Sequence, residues 1–97
     1  MIRAARTDGN QTEIVEALRK IGCCVLLTHQ LKNAFDILVG FRGKTFIMEI
    51  KDGNRPPSAR KLSKGEIKCK EGFEAVGVKY WVVCSVGDAI NIVTKIN

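Results

Sequence analysis

The sequence predicts an α/β domain in which a small mixed sheet of four strands is flanked by helices. Three segments place apolar residues at the spacing of an amphipathic helix, and four short apolar runs are bounded by turn-forming residues. The resulting order, α-β-β-β-α-β-α, is typical of helices layered on one sheet. A chain of 97 residues has room for one compact domain, which is predicted to span residues 1–97.

The first helix and strand are predicted from residues 10–28. Apolar residues at helical spacing indicate a helix over 10–21, with Asp8 or Asn10 as its N-cap. Glu13 follows Asn10 by three positions, as in a capping box. Gly22 ends this helix, and the apolar run 23–28 is predicted to be the first strand.

The next two strands are predicted to form an antiparallel hairpin. Residues 35–40 and 44–51 are both β-leaning, and Arg42-Gly43 makes a tight turn between them. In a tight register Asp36 faces a residue near 47–49 on the partner strand. Two prolines and a glycine make 52–58 a loop.

The last three elements begin with a second capping box, formed by Ser63 and Glu66. The helix that it opens ends at Gly77 and is followed by a strand over 80–84 and a last helix with a weaker cap at 85–88. A helix that connects the third and fourth strands makes them parallel. The apolar face of the middle helix is predicted to consist of Cys69, Phe73 and Val76, with Ile67 nearby.

Composition and cysteine usage exclude several classes of protein. Apolar residues make up 45% of the chain and charged residues 27%, as in an ordinary soluble domain, and no apolar run reaches the length of a membrane span. Residues 1–8 lack the apolar core of a signal peptide. The four cysteines and one histidine match no common zinc framework, so we expect free thiols in a reducing compartment.

The positive charge is concentrated in one part of the chain. The net charge is +6, and residues 42–70 contain nine basic and three acidic residues, whereas the rest of the chain is balanced. Such a block on a small domain indicates a polyanionic partner, nucleic acid first. The same pattern also fits a solvated face without a partner.

Three ionisable residues interrupt apolar strands. Asp36 lies in the second strand, and Glu49 and Lys51 lie two residues apart at the end of the third, so they share a face. Two converging carboxylates make a hard-oxygen site suited to Mg²⁺ or Mn²⁺. A salt bridge between Lys51 and one of the carboxylates is the structural alternative.

This pattern of an aspartate followed, one hairpin later, by Glu-x-Lys resembles the PD-(D/E)XK nuclease superfamily. More narrowly, the chain resembles the small phage and bacterial VRR-NUC domains, which have a restriction-endonuclease-like α-β-β-β-α-β core. The similar segments are DGNQ (8–11), IVEALR (14–19), DILVG (36–40), EIKDG (49–53) and PSARKLS (57–63). Phe35 stands where the family has the proline of its motif.

The resemblance implies a role for each matching residue. Asp36, Glu49 and the backbone carbonyl of Ile50 would hold the metal, and Lys51 would be the lysine of the motif. Gln11 matches a further ligand position on the first helix. Glu13 is the alternative to Gln11, although a capping role explains it better.

Two further residues have open roles. Glu66 falls where relatives carry a helix Gln or Glu near the site, and capping by Ser63 explains it equally well. His29 could face the site from the end of the first strand, although a strand-end histidine on the surface is the simpler interpretation.

Four basic residues follow the motif lysine, in the loop and at the start of the next helix: Arg55, Arg60, Lys61 and Lys64. They are predicted to contact phosphates beside the metal, aided by the exposed N-terminus of that helix. A solvated basic loop is the alternative.

The expected function is therefore hydrolysis of DNA phosphodiester bonds by an Mg²⁺-dependent endonuclease, with Mn²⁺ as a substitute and no small-molecule cofactor. The resemblance implies branched DNA such as Holliday junctions, a homodimer, and the cytoplasm of a bacterium or a phage-infected host. Candidate interface residues are Ile90, Ile92, Val93 and Ile96, which could also be core. The rival functions are a non-catalytic nucleic-acid-binding domain and a nuclease subunit that needs a partner.

Overall fold

The computed structural model describes residues 9–95 of the chain. Its elements follow the predicted order: α1 (Gln11–Lys20), β1 (Cys24–Leu27), β2 (Ile37–Phe41), β3 (Lys44–Ile50), α2 (Lys64–Ala75), β4 (Tyr80–Val83) and α3 (Val86–Lys95). A short 3₁₀ turn, Pro57–Arg60, interrupts the long connection between β3 and α2. Asp8 and Ile96, named above as a cap and an interface candidate, lie outside the described residues.

The four strands form one mixed sheet in the order β1-β2-β3-β4. The pairs β1–β2 and β2–β3 are antiparallel. The strand β4 runs parallel to β3, as the intervening helix predicts. The β2–β3 turn has positive φ at both central residues, 51° at Arg42 and 80° at Gly43. This backbone suits the twist of a two-residue hairpin, so the predicted hairpin is confirmed.

The main core lies on the face of the sheet that α1 and α3 cover. Ile14 and Leu18 of α1 meet alternate strand residues, among them Ile37 and Met48, and all four are fully buried. Among the interface candidates, Val93 is buried, and Ile90 and Ile92 pack against this core. Val93 therefore belongs to the core, the alternative left open above, and Ile90 and Ile92 are half-buried at its edge.

The N-terminus of α1 differs from the predicted capping box. The Asn10 side chain does not cap the helix; its Nδ2 donates to the carbonyls of Lys51, at 3.2 Å, and Cys84, at 3.0 Å. The prediction that Glu13 serves in a capping box with Asn10 is thus wrong, because the amide bonds to the chain just beyond β3 and β4 instead. Asn10 thereby fixes α1 against the end of the sheet that bears Lys51.

Helix α2 lies on the opposite face and is attached mainly through polar contacts. Ser63 and Glu66 form the predicted capping box, but no residue of Lys64–Ala75 is fully buried. The predicted apolar face is therefore buried only in part: Cys69 is half-buried, Ile67 and Phe73 are partly exposed, and Val76, just beyond the helix, is 77% exposed. The helix is attached by its first turn, by the edge contact of Phe73 with Phe35 and by Glu74, whose Oε2 accepts from the Tyr80 N–H at 3.1 Å.

None of α1, α2 and α3 has the length and apolar character that a bilayer-crossing helix requires.

Candidate metal centre

The hairpin brings Asp36 next to the end of β3. Ile37, the first residue of β2, pairs with Met48, and Asp36 directly precedes it. The Asp36 backbone N–H donates to the Met48 carbonyl at 3.1 Å, and its Oδ2 accepts from the Ile50 N–H at 2.8 Å. The prediction that Asp36 faces the region 47–49 is confirmed.

Lys51 lies on the same side of the sheet as Glu49 because side chains alternate along the strand. Its Nζ is 3.3 Å from Glu49 Oε2 and 3.1 Å from Glu66 Oε1. Glu66 Oε1 also accepts from the Ser63 N–H at 2.9 Å. Glu66 therefore caps α2 and holds Lys51 at once, so the two roles left open for it coexist.

These side chains line one open pocket of about 320 Å³. Asp36, Glu49, Ile50, Lys51 and Glu66 form its polar end, and the connection between β1 and β2 forms the opposite wall. We call this the carboxylate pocket. Glu49 is its deepest charged group, with 4% of its surface exposed.

Glu49 is strongly destabilised as an anion. Burial is the main cause, and the negative charge of Asp36 and a hydrogen bond shared with Glu66 add to it, raising the pKa of Glu49 to about 9 against the opposing effect of Lys51. An isolated structural ion pair would balance its charges, whereas here Lys51 contacts two carboxyl groups, those of Glu49 and Glu66, and Asp36 lines the same pocket. A buried excess of carboxylate is what a bound cation would relieve.

The two neighbours of Glu49 are shifted towards their charged forms. Burial lowers the pKa of Lys51, but the hydrogen bond to Glu66 and the charges of Glu49 and Glu66 outweigh it, so the net shift is upward. Burial raises the pKa of Glu66, but the bonds from Ser63, Glu49 and Lys51 outweigh it, so the net shift is downward. The geometry thus holds Lys51 as an ammonium and Glu66 as a carboxylate.

Gln11, and not Glu13, lies next to the pocket. Gln11 is 4% exposed, and its Nε2 lies 3.3 Å from Nδ1 of His29, which lines the carboxylate pocket. Its Oε1 is buried and has no hydrogen-bond partner among residues 9–95. A buried oxygen without a partner is what is expected of a ligand to a cation. Glu13 is exposed and lines a different pocket.

The donor set suits a hard divalent cation that keeps some of its waters, and it suits less well a metal that is held entirely by protein side chains. Within residues 9–95, no three His, Cys, Asp or Glu side chains are grouped as a metal-holding cluster, and the four cysteines are free thiols. Mg²⁺ does not need such a cluster, since it keeps several waters and uses one or two carboxylates with substrate phosphates. Asp36, Glu49, the Ile50 carbonyl and Gln11 Oε1 supply oxygen donors of the required type.

The predicted phosphate contacts do not form one group. Arg60 lines a separate pocket of about 400 Å³ with Asn10 and Asp52, and its Nε is buried without a partner among the described residues. Arg55 is exposed, with Asp52 4.0 Å away. Lys61 and Lys64 are exposed at the start of α2, next to the turn that carries Glu66.

Two basic residues of the charged block lie far from the pocket. Arg42 and Lys44 are at the β2–β3 turn, so the length of β3 separates them from Glu49, by about 17 Å at the usual rise of a strand. The positive charge therefore surrounds the carboxylate pocket only in part.

One solved structure, described as a VRR_NUC domain, is similar to this chain over most of both lengths. The match covers 84% of this chain and 87% of the other, with 26% sequence identity and a TM-score of 0.62. The match supports a VRR-NUC domain. No protein-family model matches the sequence, and no curated protein matches it either.

The chain has the α/β architecture that this similarity leads one to expect, a mixed four-stranded sheet flanked by helices that is consistent with a restriction-endonuclease-like fold. The residue roles stay predictions. The contact of Glu66 with Lys51 was the part of the site that was hardest to predict from the sequence, in which the capping box marks this residue. A capping glutamate three residues into a helix is common, and its contact with Lys51 depends on where the helix docks.

Proposed function

We propose that this VRR-NUC domain is a divalent-metal-dependent endonuclease that hydrolyses phosphodiester bonds in DNA. The observation that carries the proposal is the carboxylate pocket: Asp36 and Glu49 from adjoining strands meet Lys51 on one face, at an open end of the sheet. The similarity to a VRR_NUC domain supports the same activity.

Four oxygen donors would hold the cation: carboxylates of Asp36 and Glu49, the carbonyl of Ile50 and Oε1 of Gln11. When bound, Mg²⁺ or Mn²⁺ supplies Lewis-acid stabilisation of the phosphoryl group and lowers the pKa of a bound water. Without a cation, Glu49 keeps a proton at neutral pH, because its pKa is about 9. The Asp36 carboxylate is already oriented by the Ile50 N–H.

Lys51 supplies the positive charge that stays on the protein. Glu49 and Glu66 hold its ammonium at 3.3 and 3.1 Å, so little reorganisation is needed when a phosphate enters. A preorganised ammonium stabilises negative charge that develops on the phosphate oxygens. Glu66 is therefore a positioning residue, which acts through Lys51.

The finer features of the substrate and assembly are part of the proposal. We infer branched DNA, Holliday-junction-like, as the preferred substrate and a homodimer as the working unit, both from the family resemblance. One domain carries one such pocket, so paired cuts in opposed strands need two copies related by a two-fold axis. Lys61 and Lys64, exposed beside the pocket, would contact the phosphate backbone.

Cleavage of end-labelled linear and four-way DNA tests the proposal, with Mg²⁺, Mn²⁺ or EDTA and products mapped to the nucleotide. We expect cutting with either metal and none with EDTA. Asp36→Ala, Glu49→Ala and Lys51→Ala should each reduce cleavage by about a hundredfold or more, while DNA affinity changes only a few-fold. Glu71→Ala is the matched control, because Glu71 lies exposed on α2.

Three outcomes would contradict the proposal or parts of it. Binding without product in all three metal conditions would favour a nucleic-acid-binding module, in which Lys51 and Glu49 form only an ion pair. Normal cleavage by Glu49→Ala would place the active site elsewhere. A monomer by light scattering, with and without DNA, would contradict the homodimer and favour a subunit that needs another chain.

A further inference from the structure

The connection between β1 and β2, residues 28–36, has a feature that the proposed chemistry does not use. Its residues His29, Gln30, Leu31, Lys32 and Asn33 form the wall of the carboxylate pocket. Among them, His29 lies 3.3 Å from the side chain of a proposed ligand, Gln11. We call this segment the 28–36 loop.

Hydrogen bonds within the 28–36 loop give it a defined shape. The Thr28 N–H donates to the Asp36 carbonyl at 2.8 Å, and the Leu31 N–H donates to the Thr28 carbonyl at 2.9 Å. The Thr28 hydroxyl donates to the Phe35 carbonyl at 2.8 Å. The two ends of the loop are thus tied together, which holds Leu31 in a turn.

Contacts with β4 and α2 also hold the 28–36 loop in place. The Tyr80 hydroxyl donates to the Ala34 carbonyl at 2.7 Å, and Phe35 packs edge-on against Phe73. The Asn33 side chain is so close to Gly65 of α2 that no Cβ fits there. The 28–36 loop therefore has a defined position in the fold, and so do its exposed side chains.

The side chain presented at this place is apolar. Leu31 is 60% exposed, and Leu26 and Leu27 are 59% and 46% exposed. Together with Thr28, His29 and Gln30 they line a shallow pocket of about 540 Å³. Scattered exposed leucines are ordinary, whereas a contiguous apolar patch indicates a binding surface.

This apolar patch is continuous with the carboxylate pocket. His29, Gln30 and Leu31 line both cavities, so the apolar surface begins where the polar site ends. Lys32, the next residue, is exposed and lies at the rim of the carboxylate pocket. With the proposed cation bound, a ligand that occupies both cavities would place one anionic group at that cation, an apolar surface over Leu31 and a further anionic group near Lys32.

We propose that Leu31, backed by Leu26 and Leu27, contacts the face of an unstacked nucleobase beside the phosphodiester bond held in the carboxylate pocket. The proposal rests on the proposed nuclease function and names the feature of the DNA that it reads. A regular duplex hides its base faces in the stack, whereas branches, flaps and mismatches expose them. Leucine is among the apolar side chains that insert between base steps and unstack them.

The first test measures base unstacking without cleavage. A 2-aminopurine base is placed at the branch of a flapped duplex, and its fluorescence is followed in EDTA. Wild-type protein should raise the signal, Leu31→Ser should lose most of the rise, and Leu31→Met should keep it. Val76→Ser is the matched control, because Val76 is 77% exposed at the end of α2 remote from Glu66 and should behave as wild type.

The second test measures selectivity with Mg²⁺ present. The ratio of kcat/KM for flapped DNA to that for matched duplex should fall about tenfold in Leu31→Ser and stay unchanged in Val76→Ser. An unchanged ratio together with an unchanged 2-aminopurine signal would overturn the proposal. A lower particle mass of Leu31→Ser in light scattering would also overturn it, because the patch would then bind a second copy of the chain.

The nuclease function and the base contact can be refuted separately. If wild-type protein cuts neither DNA, the proposed nuclease function fails, while the fluorescence in EDTA still decides whether Leu31 contacts a base. If wild-type protein cuts both DNAs and Leu31→Ser retains the fluorescence rise, the nuclease function stands and the base contact is refuted.

Discussion

Glu49 is held in an environment that suits a proton or a cation better than a free negative charge. It is almost completely buried, and burial together with Asp36 and Glu66 raises its pKa to about 9. In the unfolded chain the same group ionises near 4.5. Folding of the cation-free protein above that pH therefore requires proton uptake, which costs stability.

We expect the free energy of unfolding of the wild-type protein in EDTA to fall as the pH rises from about 5 to 9. The unfolded state binds fewer protons than the folded state in this window, so the slope of stability with pH is negative. Glu49→Gln removes this ionisation, and it should flatten the slope and stabilise the protein at pH 8 by on the order of 2 kcal/mol. Urea denaturation at pH 5, 7 and 8 measures both effects.

Glu71→Gln is the control for this experiment, because the same charge is removed from an exposed position. Equal slopes for wild type and Glu49→Gln would mean that Glu49 is not the group that links folding to protons. Added Mn²⁺ should raise the Tm of the wild type more than that of Glu49→Gln, since a cation bound only by the folded state stabilises it.

Helix α2 organises the pocket although it buries little of its own surface. Its first turn carries Glu66, which holds Lys51, and Gly65, which lies against Asn33 of the 28–36 loop. Asn33 has a positive φ of 56°, a left-handed conformation that asparagine adopts more readily than most other residues with a side chain. The docking of one helical turn thus sets the position of both the motif lysine and the opposite wall.

Gly65→Ala should destabilise the protein by about 1–3 kcal/mol, because the new methyl group overlaps the Asn33 side chain, including its Cβ. Gly72→Ala, on the same helix with open space around the new Cβ, should instead stabilise it by about 0.5–1 kcal/mol through helix propensity. Thermal unfolding monitored by circular dichroism compares the two. A Gly65→Ala variant as stable as the wild type, or more stable, would show that the Asn33 contact does not constrain α2.

The molecule as a whole divides its positive charge between two ends of the sheet. Lys61 and Lys64 lie at the start of α2, next to the carboxylate pocket, and Arg42 and Lys44 lie at the β2–β3 turn at the opposite end. A DNA backbone held at the pocket would therefore contact the first pair and not the second.

The double variant Lys61→Gln/Lys64→Gln should weaken DNA binding and reduce the slope of log K against log[salt] by about 2, because two phosphate contacts are lost. Arg42→Gln/Lys44→Gln removes the same net charge and should change that slope much less. Fluorescence anisotropy between 50 and 300 mM salt measures both. Equal effects of the two variants would mean that DNA binds through general charge and not at the pocket.

Much of the fold and part of the site could be predicted because they depend on local rules. The order of elements, the Arg42-Gly43 turn and the Ser63–Glu66 capping box each need only a few neighbouring residues. Asp36 and Glu49 could be placed near each other because a two-residue turn determines the register of a hairpin. Lys51 follows from the alternation of side chains along the same strand.

Contacts between distant segments could not be predicted in this way. Arg60 was expected beside the metal ligands, but the connection after β3 carries it to another pocket. The apolar residues of α2 suggested a buried face, yet the helix is held largely by contacts of Gly65 and Glu66 in its first turn and of Phe73 and Glu74 near its end.

The amino-acid sequence alone determines the net charge of +6 and its concentration in residues 42–70, because both depend only on which residues are present and on their order. Tertiary packing alone decided that Glu66 reaches Lys51, that a rigid loop presents Leu31 beside the carboxylates, and that Arg42 lies at the far end of the sheet. The physical reason is that strand length and helix docking determine distances between residues, and neither is a local property of the sequence.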